Sequence, residues 1–117
     1  MPRLIPAPNA IPVPGGKQID EYIGYVNTET PEVSVAHMKS PAGWSEPGQR
    51  PEFRELTLVL SGLLHVEFEG GVLEVRGGQA LIAEPGEWVR YSTPNEPAEY
   101  VAICLPAFEL RIAHRDE

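Results

Sequence analysis

From Glu32 onward the chain is a succession of short apolar segments punctuated by Gly and Pro: EVSVAHM, ELTLVLSG, LLHVEFEGG, VLEVRGG, QALIAEPG, EWVRYS and EYVAICLP. Apolar and polar residues alternate within them, and turn residues recur roughly every eight to twelve positions. A period of two suits a strand with one buried face and leaves little room for helix. This pattern predicts an all-β chain folded as an antiparallel jelly-roll β-barrel, a form that also removes exposed sheet edges. In HVEFEGGVLEVR the pair Gly70-Gly71 is the expected hairpin turn, supplying positive φ. Gly77-Gly78 marks the next turn. Only AFELRIAHRDE is expected to form a short helical turn.

At 117 residues the chain is expected to be a single domain able to bury its own core. Residues 1–16 carry Pro2, Pro6, Pro8, Pro12 and Pro14, which cannot donate to a central ladder. They read as an extended arm, either loose or lying across a partner subunit. Residues 17–108 read as the barrel, and 109–117 as a short charged tail. The formal net charge of −8 opposes polyphosphate, so neither nucleic acid nor an anionic membrane is an expected partner. The prolines interrupt any signal-peptide core, and no apolar run approaches membrane-spanning length. The single cysteine, Cys104, lies in an apolar run and is expected to be a buried, inert thiol. A cytoplasmic, reducing compartment is the simplest expectation.

Two glycine-framed stretches bear on function. The first runs from Gly43 to Gly62, with Gln49, Pro51 and Glu55 at fixed intervals; the second runs from Gly78 through Glu84-Pro85-Gly86 to Val89. In spacing they resemble the two motifs of the cupin superfamily, and fifteen residues, Leu63 to Gly77, separate them. The resemblance covers roughly residues 30–107 and implies a small cupin-type barrel. It places Gln49, Pro51, Glu55 and Val89 at the family's four metal-ligand positions, of which only Glu55 keeps the family residue. The histidines of both motifs are replaced.

Strand parity sets Gln49, Phe53, Glu55, Thr57 and Val59 on one face, with Glu52 and Arg54 on the other as a solvated pair. In the second motif the preferred register turns Val89 and Tyr91 inward. A one-residue slip would bring Arg90 inward instead. Trp44 and Trp88 add aromatic surface of the kind small-molecule pockets use, or else plug the barrel ends. Arg90 is expected to act in the pocket or to be held by Glu46, Glu52 or Glu87.

The expected ligand-binding set is therefore Gln49, Phe53, Glu55, Thr57, Val89, Tyr91, Trp44, Trp88 and Arg90. Transition metals favour imidazole or thiolate, and no histidine stands in a motif position. No cofactor is expected; should a divalent metal bind, Gln49, Glu55 and His37 are its candidate ligands. His37 is otherwise a rim or subunit-contact residue, His65 a surface or sheet-packing residue, and His114 solvated. Without metal, burial is expected to raise the pKa of Glu55 and make it an acid–base candidate with Tyr91 as partner. The function expected first is binding of a small polar metabolite in the barrel of a homodimer. The alternatives are an isomerase or lyase using Glu55, a metal-dependent enzyme using Gln49 and Glu55, and a structural module.

Overall fold

A computed structural model describes all residues, 1–117, and shows a nearly all-β chain. The strands are β1 (Asn9–Ile11), β2 (Gln18–Ile23), β3 (Ser34–Ser40), β4 (Trp44–Ser45), β5 (Arg54–Phe68), β6 (Gly71–Arg76), β7 (Ala80–Ala83), β8 (Val89–Thr93) and β9 (Ala98–Leu105). One short helix, α1 (Leu110–Ala113), follows. The ladder runs β1-β2-β3-β9-β5-β8-β4, with β6 and β7 also paired to β5, and all pairings are antiparallel. The result is a curled jelly roll.

The strand β5 belongs to both sheets. Its first half pairs with β9 and β7, and its second half with β6 and β8. The sequence pattern divides this stretch into ELTLVLSG and LLHVEFEGG, but Ser61-Gly62 does not reverse the chain. The register against β9 shifts between Val59 and Ser61, and Gly62 adopts φ 82°. One extra residue and one left-handed glycine bend the strand from one sheet into the other.

Three further expectations need correction. Phe68 pairs with Gly71, so the hairpin loop is Glu69-Gly70, and only Gly71 of the two glycines has positive φ, at 151°. Residues 1–16 are not wholly loose: within them β1 pairs with β2 of its own chain at the sheet edge. Flanking Pro8 and Pro12 are tolerated there because an edge strand has one unpaired side. The tail also folds back, with the Glu52 N–H donating to the Ile112 carbonyl and the Arg50 N–H to the His114 carbonyl. The helical turn lies within the expected segment.

Trp44, Val59, Leu64, Val66, Val75 and Tyr91 belong to the main core cluster. A second cluster of Phe53, Cys104, Ile112 and Ala113, packed by Phe108, joins the tail to the barrel. The rings of Phe53 and Phe108 meet at 5.7 Å.

A Cβ at Gly62 would collide with the Pro97 carbonyl, whereas one at Gly43, also at φ 82°, would meet nothing. Gly43→Ala should therefore cost about 1–2 kcal/mol of conformational strain alone, and Gly62→Ala at least about 3 kcal/mol because backbone must also move. Urea unfolding of both variants checks this. Equal losses would count against the bend as a site of close backbone approach.

Candidate functional site

The inward faces of the strands enclose a cavity of about 390 Å³. Alternation puts Ser34, Ala36 and Met38 of β3, Glu55 and Thr57 of β5, and Tyr100, Ala102 and Cys104 of β9 on its wall. The chain ends complete it, with Ile11 to Pro14 and Lys17 from one terminus and Phe108, Leu110 and Arg115 from the other.

Glu55 and Glu21 are the buried carboxyls of this wall, and Glu55 is the one that meets Tyr91. The Tyr91 hydroxyl donates to its Oε1 at 2.7 Å, and the Cys104 thiol makes a long contact to its Oε2 at 3.6 Å. Burial pushes the Glu55 carboxyl above the usual carboxylate range; the Tyr91 hydrogen bond opposes this, and the nearby Glu46 charge adds to it. The Tyr91 phenol is raised well above its ordinary value, first by burial and then by Glu55. Burial likewise pushes the Cys104 thiol far up, so it stays protonated, as an inert buried thiol should. The expected Glu55–Tyr91 pair is thus in direct contact. It holds a proton between two groups that both resist ionisation.

A second polar group lies at the chain ends. The Lys17 ammonium sits 4.3 Å from the Trp44 ring centroid and 5.5 Å from that of Tyr100. It lies 3.8 Å from Glu46 Oε2, and Arg115 Nη2 approaches the same oxygen at 3.8 Å. Gln49 exchanges both backbone hydrogen bonds with Val89 at 2.9 Å and bridges Arg115 on its other side. The buried amide oxygen of Gln49 and the buried Nε of Arg115 make no hydrogen bond within the chain. Tyr100 and Ser40 pair their hydroxyls at 2.9 Å, and burial raises the Tyr100 phenol, opposed by the Lys17 charge.

Four of the expected binding residues, Gln49, Glu55, Thr57 and Tyr91, line the cavity. Val89 turns inward in the preferred register but is consumed by the core. Trp44 also lies in the core and reaches the site only by carrying Lys17 on its ring. Phe53 is buried against the tail instead of facing the cavity. Trp88 lies against Gly48, where a side chain would strike its ring, and donates Nε1–H to Asp116 at 2.9 Å. Arg90 points outward and is held by Glu67 at 2.5 Å, a partner sequence reasoning did not propose.

The candidate metal ligands do not converge. Ser34, Ala36 and Met38 take the inward positions of β3, so His37 faces outward and contacts Glu99 at 2.7 Å. His114 is paired with Glu52 at 2.5 Å, and Arg54 with Glu84 at 2.6 Å, replacing the expected Glu52–Arg54 pair. No three His, Cys, Asp or Glu side chains cluster as a metal-binding group. Lys17 and Arg115 are the site residues that sequence reading missed. Both lie in segments read as arm boundary and tail, and no local pattern signals that these ends return to the barrel.

No known protein-family profile matches the chain. It is 40% identical over 107 residues to the Endoribonuclease YbeY of Myxococcus xanthus (strain DK1622), a match covering 91% of this chain and 36% of that protein. The chain therefore spans about a third of that relative. Among solved structures it is similar to Streptomyces PAC13 with uridine, at TM-score 0.77 and 13% identity over 97% of this chain and 88% of the other. It is also similar to an RmlC-like cupin from Shewanella frigidimarina, at TM-score 0.69 and 14% identity over 87% and 86% of the two chains. At these identities the likeness is one of fold, and the fold is the cupin jelly roll.

The raised Glu55 pKa has a consequence for stability. Between the ordinary carboxylate value and the raised one, the folded protein keeps a proton that the unfolded chain has released, so stability falls as pH rises through that window. Glu55→Gln retains an acceptor for Tyr91 and removes the ionisation. Relative to the parent protein, the variant should gain stability at about pH 8 and not at about pH 4, below the ordinary glutamate value. Urea midpoints at the two pH values check this. A difference independent of pH would contradict it.

Proposed function

We propose that this small protein of cupin fold binds a polar metabolite of monosaccharide or nucleoside size in its barrel, without a histidine-based metal centre. The observation that carries the reading is Gln49. Its side chain is almost fully buried, lines the cavity and leaves its amide oxygen unpartnered. Buried polar groups without partners cost about 1–3 kcal/mol, so a ligand donor at this position would be favoured. The cavity, about 390 Å³, falls near the lower end of the roughly 300–1,000 Å³ typical of ligand pockets. The uridine held by the similar Streptomyces protein is of the proposed size class.

The reading includes the replacement of the family's ligand positions at Gln49, Pro51 and Val89. The donor set does not suit a transition metal: Gln49 and Glu55 offer two oxygen donors, Glu55 is engaged by Tyr91 and Cys104, and His37 lies outside the barrel. The endoribonuclease activity named for the Myxococcus relative is not carried over. Most of that protein lies outside the match, and a net charge of −8 opposes a polyphosphate substrate.

A second reading rests on the 2.7 Å contact between Tyr91 and Glu55. A carboxyl whose neutral form is favoured by burial, beside a phenol, is suited to general acid–base catalysis of isomerisation or elimination on the same ligand.

Thermal-shift and turnover assays with hexoses, hexuronates, polyols and uridine separate the readings. Saturable stabilisation without turnover is the expected result, and Ala102→Leu, which fills the cavity wall beside Thr57, should abolish it while leaving the fold intact. Turnover lost in Tyr91→Phe would move the conclusion to the second reading. Stabilisation undiminished in Ala102→Leu would remove the cavity as the binding site.

A further inference from the structure

The two chain ends bring a pair of cations to one place in the cavity. Lys17 precedes β2 and Arg115 follows α1, and their side chains are 6% and 30% exposed. Both approach a single oxygen of Glu46 at 3.8 Å, beyond hydrogen-bond length. Glu46 therefore balances one charge without consuming the donors of either cation. Arg115 Nε is buried and has no acceptor within the chain, and its guanidinium lies 5.9 Å from the Phe108 ring centroid.

The other carboxyls of the cavity do not oppose an incoming anion equally. Glu21 is engaged by the backbone N–H groups of Val26 and Asn27, both at 2.9 Å. The neutral form of Glu55 is favoured by burial. Gln49 stands beside Arg115 through their backbone bridge, so an unpartnered acceptor and an unpartnered donor come from neighbouring positions.

Building on the cavity-binding reading, we infer that the ligand carries a carboxylate or comparable oxyanion held by Lys17 and Arg115, next to a hydroxyl or N–H that donates to Gln49. Arg115 supplies directed donors and Lys17 a compact charge, a combination suited to an acid group. A hydroxy acid of sugar-acid size has the required adjacency. Apolar residues lining the same cavity, Ile19, Met38 and Ala102 among them, accommodate its carbon skeleton.

Isothermal titration with D-galacturonate and D-gluconate, against D-galactose, sorbitol and uridine as neutral counterparts, tests the inference. The acids should bind at least roughly tenfold more tightly, the gain of about one charge-assisted hydrogen bond. Arg115→Gln and Lys17→Gln, each checked for an intact fold by circular dichroism, should weaken the acids by about tenfold and the neutral compounds by less than about twofold. Neutral compounds binding as tightly as the acids, or acid binding unchanged in both folded variants, would overturn the anion site while leaving cavity binding in place. Binding by none of the five compounds would overturn the cavity reading itself, and the anion site with it.

Discussion

The fold depends on one strand being shared by two sheets. Because β5 pairs with β7 and β9 along its first half and with β6 and β8 along its second, its path sets the register of four other strands. The bend is possible because Gly62 takes a left-handed conformation where the Pro97 carbonyl leaves no space for a side chain. Upstream of that bend, the period of two turns Glu55, Thr57 and Val59 inward and leaves Leu58 exposed. The barrel wall and its buried carboxyl thus follow from the same backbone constraint.

Placing a carboxyl in that wall is costly unless it is neutral or hydrogen-bonded, and Glu55 is arranged for both. Its strand neighbour Cys104 and the facing Tyr91 direct an S–H and an O–H at its two oxygens. Burial favours the protonated form of all three groups. This differs from the Lys17–Glu46–Arg115 group, which keeps formal charges near the chain ends and spaces them beyond hydrogen-bond contact. The two groups line the same cavity, and the charges of Glu46 and Lys17 act on Glu55.

The cavity is completed by segments outside the central strands. β1 carries the N-terminal segment to the sheet edge, while the Gln49–Arg115 bridge and the Phe53–Phe108 contact fasten the tail. Every cationic residue of the site comes from these segments. A ligand bound there would touch both chain ends at once, so recognition and closure of the barrel would be coupled through the same side chains.

How far the sequence could be read follows from the range of its signals. Alternation and turn glycines are local, so they were enough for an all-β jelly roll, for the inward turn of Glu55, Thr57, Val89 and Tyr91, and for the contact between a raised carboxyl and its tyrosine. They misled where a local sign has two meanings: Ser61-Gly62 looks like a turn but stays paired within a strand that bends just after a bulge, and His37 shares its strand with inward residues but has the opposite parity. Phe53 was expected in the pocket and packs on Phe108 instead, while Arg90 and Trp88 pair with Glu67 and Asp116, and all three partners lie on segments with no pattern linking them. By itself the sequence determined the fold class and the face on which the buried carboxyl would lie, because both depend on neighbours one or two residues away. Only the tertiary structure decided that Lys17, Glu46, Gln49 and Arg115 meet, because that meeting depends on where two chain ends return, and no local periodicity encodes it.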